Sequence, residues 1–318
     1  MDKTENSIKI AEYGPLKNKI LSFADWIFIM RPTMLFTYWT MVMCGLGMHG
    51  KMESISLITV ASISFGMGAA NLLNLVNDIE ADLQNNKLPW LSHGLIRPKQ
   101  VVIYLGALYL LGLIGLVFQA GMDLVVTSIL VFGGLGLLYN IGPSPLKRRP
   151  LLSLLMSAVI GAGLWIVGVA ALSELYNINW IALIGYVSAW TSVCLISMIP
   201  DIKGDRNTGK ITFAVKYGSE LTARLSTLVL LIALVYSIVY RDIILLVPAV
   251  ISFPFFIAAA LESKKKWISM ASKSSVLSLS MMVAFNYFPK YIILIVVYYF
   301  FSRWYYKERF NINYPTVN

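Results

Sequence analysis

Long apolar runs separated by short polar loops recur from Trp26 to the end of the chain. Each approaches the ~20 residues that carry a helix across ~30 Å of hydrocarbon, where a helix satisfies its own backbone groups without water. The pattern predicts nine helices, over residues 26–48, 54–78, 100–119, 123–141, 151–172, 178–200, 219–240, 243–261 and 275–301. Pro289 and Lys290 fall inside the ninth, and proline removes a backbone donor and clashes with the preceding turn, so a kink is expected there. Residues 1–25 read as a cytosolic tail, 26–302 as one nine-helix domain and 303–318 as a C-terminal tail. The expected fold class is an all-α membrane protein.

Composition narrows this. Of 318 residues 58% are hydrophobic and 13% charged, more apolar surface than a soluble domain hides. The N-terminal segment mixes acids and bases and has no compact apolar stretch with a small-residue cleavage site, which argues against a signal peptide. Cys44 and Cys194 lie within apolar runs, and His49 and His93 lie far apart, so neither a disulfide framework nor a zinc or haem site is indicated. The net charge of +10 sits in loops, where topology and anionic lipid account for it and nucleic acid need not be invoked. With the N-terminus inside, 18 loop Lys and Arg fall on the inner side and 5 on the outer, which favours N-terminus in and, with nine spans, C-terminus out.

Two acidic clusters interrupt this apolar background. Asn74, Asp78 and Asp82 follow the second run, and Asp201 and Asp205 follow the sixth. The i, i+4 spacing stacks each set on one helix face. Helices two and six run in the same direction, so both clusters emerge on the cytoplasmic side at one depth. Facing carboxylates one turn apart suit Mg²⁺, a hard cation that keeps positions for water and phosphate oxygens. Lys87, Lys147, Arg148, Arg206 and Lys210 lie in loops on the same side, within reach of a diphosphate. Each taken singly also reads as a topology signal, and Arg31, just before Pro32, reads as an interfacial anchor. Between Tyr139 and Pro150, Gly142, Pro143 and Pro145 break helix four ahead of the basic triplet Lys147-Arg148-Arg149. Tyr139 would sit at the cavity mouth, where its ring could stabilise a carbocation or serve as ordinary interfacial aromatic belt.

Asn74-Leu-Val-Asn-Asp78-Ile-Glu-Ala-Asp82, the Tyr139–Pro150 segment and Ile199-Pro-Asp-Ile-Lys-Gly-Asp205, continuing to Gly218, together resemble the UbiA superfamily of intramembrane polyprenyl transferases. The resemblance runs from Arg31-Pro32 to the last helix. It implies a nine-helix UbiA-type bundle with a central cavity, two Mg²⁺ ions and a polyprenyl diphosphate donor. It also implies that Asn74, Asp78, Asp82, Asp201 and Asp205 match the metal and diphosphate positions, with Lys147 and Lys210 as diphosphate contacts. Quinone-type relatives often carry Lys-Asp just upstream of the second motif, where this chain has Ser197-Met198.

The expected chemistry is Mg²⁺-assisted ionisation of an allylic diphosphate, with the prenyl group passing to a lipophilic acceptor. An aromatic, quinone-precursor acceptor is the leading choice; a carotenoid or lipid acceptor, or intramolecular cyclisation as in UbiA-type terpene cyclases, are the alternatives. A cation-coupled transporter shares the buried carboxylates but gives no reason for the basic loop after Tyr139. A phospho-alcohol transferase lacks its usual glycine, arginine and aspartate signature here.

Overall fold

The computed structural model describes residues 14–50, 52–84, 89–92, 94–141, 145–173 and 175–315. Among these described residues fifteen α-helices follow in order: α1 (Pro15–Phe28), α2 (Pro32–Leu46), α3 (Leu57–Asn77), α4 (Ile79–Gln84), α5 (Pro89–Ser92), α6 (Pro98–Gln119), α7 (Met122–Ser128), α8 (Gly136–Asn140), α9 (Pro150–Ala170), α10 (Trp180–Met198), α11 (Ile202–Asn207), α12 (Phe213–Val239), α13 (Ile243–Glu262), α14 (Lys265–Tyr287) and α15 (Lys290–Phe310). Among the described residues nine helices, counting α1 with α2, α7 with α8 and α10 with α11, are long and apolar enough to cross a membrane.

Local chemistry sets the helix starts. Pro15, Pro32, Pro98 and Pro150 open α1, α2, α6 and α9, where a missing N–H costs nothing. Ser56, Asn179, Thr212 and Asp242 cap α3, α10, α12 and α13 with side-chain oxygens. Between α7 and α8, Ile129–Leu135 winds as a π-helix. The sequence pattern read this span as one uniform helix, because a single extra residue per turn leaves no mark on apolar periodicity.

Close backbone approach ties the bundle together. α2 packs on α9, where a Cβ on Gly168 would stand 1.9 Å from the Val42 carbonyl oxygen and one on Gly45 would stand 2.0 Å from that of Trp165. In lipid, where no hydrophobic force drives helices together, such small-residue contacts carry the packing.

Several boundaries differ from the sequence reading, and α12 and α14 begin at Phe213 and Lys265, ahead of the expected 219 and 275. Residues 15–25, assigned to the tail, are helical and lead into α2 through a break at Ile29–Arg31. The ninth helix does not kink at Pro289; it ends at Tyr287, and α15 starts afresh at Lys290. Phe288 adopts φ −153° and ψ 79°, a non-helical conformation of the sort that proline imposes on the residue before it. Finally, α15 folds back along α2 and α1. The Tyr298 ring lies 4.7 Å from that of Phe36, the Tyr305 ring stacks at 3.9 Å on Phe28, and Glu308 pairs with Lys17 at 2.5 Å. The last described helix therefore ends beside the start of α1, not at the opposite end as odd span parity implied.

Gly168→Ala is expected to destabilise the bundle by about 1–3 kcal/mol through overpacking, whereas Gly106→Ala, mid-helix with nothing within 4 Å of its Cβ, keeps stability or raises it by up to about 1 kcal/mol. Thermal unfolding in detergent followed by circular dichroism checks this. Equal melting temperatures for the two variants would contradict the packing argument.

Candidate functional site

The two acidic clusters meet at one end of the bundle, where α4 packs against α11. The spacing expected on continuous helices is modified in both. Asp78 occupies the break between α3 and α4 with φ −114° and ψ 13°, but its carbonyl still accepts from the Asp82 N–H at 2.8 Å, which keeps the two one turn apart. Asp201 closes a short 3₁₀ turn, and Asp205 lies one turn on in α11.

Asp78 is the hub. Its Oδ1 accepts from Lys147 Nζ at 2.7 Å and its Oδ2 from Lys210 Nζ at 3.1 Å. Lys147 is 1% exposed and also donates to Asn140 Oδ1 at 2.9 Å. Lys210 reaches Asp205 Oδ1 at 3.6 Å, so one ammonium joins the two clusters. Arg31 Nη2 stands 3.5 Å from Asp82 Oδ2, although its place before Pro32 read as an interfacial anchor. Burial alone would raise the Asp78 pKa, but the two ammonium groups outweigh it and hold the carboxyl below its usual range. Lys210 is pushed the other way: burial would lower it, and Asp78 and Asp205 raise it well above the usual lysine value. For Lys147 burial dominates, and its pKa is lowered despite the pull of Asp78.

Behind this cluster lies a cavity of about 200 Å³. Asn74, Tyr139 and Asn140 line it nearest the acids, and Met67, Phe132, Ile160, Leu164 and Trp190 line its apolar part. Residues of the π-helix form one wall, and α8 beyond it carries Tyr139 into the cavity while Asn140 reaches Lys147. Asn74 Oδ1 is buried with no hydrogen-bond partner. Tyr38, also in the lining, donates to Asn71 Oδ1 at 2.8 Å.

The structure thus gathers Asn74, Asp78, Asp82, Asp205, Lys147 and Lys210, and sets Tyr139 on the cavity wall. Asp201 is half-buried next to them. Arg148 and Arg206 are exposed and join no ion pair among the described residues, and Lys87 lies outside those residues. Arg31, Asn71, Tyr38 and Asn140 were not singled out as site residues by sequence. Only a polar residue within an apolar run marks Asn71 and Asn140, and nothing local marks Tyr38. Ser197 is exposed and returns its hydroxyl to the Cys194 carbonyl at 2.8 Å, so it offers nothing to the cavity. Among the described residues no three His, Cys, Asp or Glu side chains converge closely enough to hold a metal ion; in this arrangement cations of the chain stand between the acids.

A family model described as the UbiA prenyltransferase family matches residues 33–276. The chain belongs to the UbiA prenyltransferase family. Its fold is shared by a UbiA homologue from Archaeoglobus fulgidus bound to DMAPP and Mg²⁺, at 14% identity over 86% of this chain and 99% of that one, with a TM-score of 0.67. A UbiA homologue from Aeropyrum pernix K1 is similar over 84% of this chain and 98% of that one, at 15% identity and a TM-score of 0.58. A digeranylgeranylglyceryl phosphate synthase aligns over 82% of this chain and 98% of that one, at 15% identity and a TM-score of 0.58. No curated protein matches the chain. In this UbiA-family bundle, the acidic motifs, the basic pair and the apolar cavity share one end of the molecule.

Asp78→Asn should cost about 3–5 kcal/mol, because it strands the buried Lys147 charge. Asp78→Asn combined with Lys147→Met should cost less than Asp78→Asn alone, and denaturant unfolding of the variants in detergent measures both. A double variant no more stable than the single one would contradict the pairing. The pH dependence follows from the same shifts. The Asp78 contribution is complete above its ordinary value of 3.8 and is lost as pH falls below it, while that of Lys210 is complete below 10.5 and is lost as pH rises beyond it.

Proposed function

We propose that the chain ionises an allylic prenyl diphosphate at the Asp78 cluster and passes the prenyl group to a lipophilic acceptor, with an aromatic ring of the quinone-precursor type as the leading candidate. The observation that carries this reading is the pair of ammonium groups, Lys147 and Lys210, fixed on one buried carboxylate at the edge of an apolar cavity.

Asp78, Asp82, Asp201 and Asp205 are hard oxygen donors at and beside the contact of α4 with α11, and the unpartnered amide oxygen of Asn74 adds another. That donor set fits Mg²⁺, the ion named with DMAPP or with GPP in the A. fulgidus homologue structures. Bound Mg²⁺ supplies Lewis-acid neutralisation of charge on a departing diphosphate. The lysines act alongside it: held by Asp78 and Asp205, their ammonium groups are fixed positive charges for the leaving group and need no reorganisation to meet it. Arg148 and Arg206 stand exposed nearby, as outer contacts for the phosphates.

Phe132, Leu164 and Trp190 form an apolar wall along which an isoprenoid tail can lie, and that surface keeps water from an allyl cation. Tyr139, in the lining of the same cavity nearer the acids, presents its ring for cation–π stabilisation. The site end of the bundle is proposed to face the cytoplasm together with the N-terminus. The return of α15 supports this, because it moves Arg303, Lys307 and Arg309 from the sparsely charged side to the basic one. A second reading, cyclisation without an acceptor, draws support from Ser197 and Met198, which bring no free polar group to the cavity. Product formed in detergent from a prenyl diphosphate alone would favour it.

Asp78→Ala or Asp201→Ala in purified protein should cut Mg²⁺-dependent diphosphate release from geranyl diphosphate by about 100-fold or more, the scale of losing a charge-stabilising group. Full release by both variants would overturn the proposal.

A further inference from the structure

The family match ends at residue 276 and begins at 33, so α1 and α15 lie outside it. We infer that these two helices form a clasp that positions Asp82, with Asp25, Arg309, Tyr305 and Trp90 as its positioning residues. The inference rests on the reading of Asp82 as a group that holds Mg²⁺.

The clasp is a buried hydrogen-bonded chain. Asp25 in α1 accepts from Arg309 at 2.7 Å through Nη2 and 3.2 Å through Nε, and from the Tyr305 hydroxyl at 2.5 Å. Tyr305 in turn accepts from Trp90 Nε1 at 2.7 Å. Trp90 and Tyr305 are 0% exposed, Asp25 3% and Arg309 7%. A planar guanidinium gripping a carboxylate by two donors sets one register between α1 and α15.

From this clasp two routes lead to Asp82. Trp90 belongs to α5, which packs against α4, the helix that carries Asp82, and its carbonyl accepts from the Ile96 N–H at 3.1 Å on the way to α6. On the other route, α1 runs into Arg31, whose φ of 56° and ψ of 63° place a non-glycine residue in the left-handed region. Asn71 fixes that turn by donating to the Met30 carbonyl at 3.0 Å, and the Arg31 guanidinium reaches Asp82 at 3.5 Å. Asp82 is therefore held on one side through its own helix and on the other by the strained joint between α1 and α2. Contacts of this outer kind orient metal-binding carboxylates, and their loss lowers metal affinity about 10–100-fold.

The test uses the purified full chain with Tyr305→Phe, Asp25→Asn and the milder Arg309→Lys, which keeps the charge and loses the fork. Two quantities are read: the Mg²⁺ concentration for half-maximal diphosphate release from geranyl diphosphate, and the Mg²⁺ concentration for half-maximal thermal stabilisation with inorganic pyrophosphate present. Both should rise about tenfold in Tyr305→Phe, with kcat at saturating Mg²⁺ within about twofold of the unaltered chain. Arg309→Lys should move the same way by less, and Gly168→Ala, which lowers stability elsewhere, should leave both concentrations unmoved. Unchanged Mg²⁺ dependence in every clasp variant that folds, alongside a lowered melting temperature, would overturn the clasp and leave a purely structural role. If the unaltered chain releases no diphosphate, the proposed reaction fails instead, while the thermal measurement still decides the clasp.

Discussion

One buried carboxylate bonded to two lysines organises this site. Asp78 sits where α3 gives way to α4, with Lys147 and Lys210 on its two oxygens. Isolated, any of these three charges would be costly at an apolar helix end. Together they compensate each other, and each comes from a different part of the chain: the break after α3, the loop between α8 and α9, and the loop between α11 and α12. Lys210 extends the set to Asp205, so the two acidic motifs share a single cation. A diphosphate, an anion itself, would enter a place where positive charge is already aimed and held.

The rest of the bundle makes that convergence possible. Close contact of α2 with α9 at Gly45 and Gly168 leaves no space between those helices, whereas α3, the π-helix, α9 and α10 diverge around the cavity. The same end of the molecule thus has an ionic face and an apolar hollow directly behind it. This division matches a substrate with a charged head and a hydrocarbon tail, and chemistry in which the head departs while the tail bears the positive charge.

Much of this was legible in the sequence, for physical reasons. A bilayer demands continuous apolar helices, so the spans stand out; the spacing of Asp78 from Asp82 and of Asp201 from Asp205 survives local breaks because one helical turn is kept either way. Lys147 and Lys210 were legible as loop cations near acids. Arg31 was not, because Arg-Pro at a helix start looks the same whether the guanidinium meets lipid headgroups or a carboxylate. The partnership of Asp25 with Arg309 joins positions at opposite ends of the chain, and no local pattern announces it. The return of α15 was missed for a related reason: residues 291–301 are apolar enough to continue a helix, and only the backbone at Phe288 and Pro289 ends it.

The central claim is that the ammonium groups on Asp78 and the cavity behind it form one substrate site. A structure of the chain with Mg²⁺ and a thio analogue of geranyl diphosphate, whose carbon–sulfur bond resists ionisation, tests it most directly. The account predicts the diphosphate within hydrogen-bonding reach of Lys147 and Lys210, with the tail between Phe132 and Trp190. A diphosphate bound elsewhere, with Lys147 and Lys210 still paired only to Asp78 and Asp205 and no tail in the cavity, would contradict it.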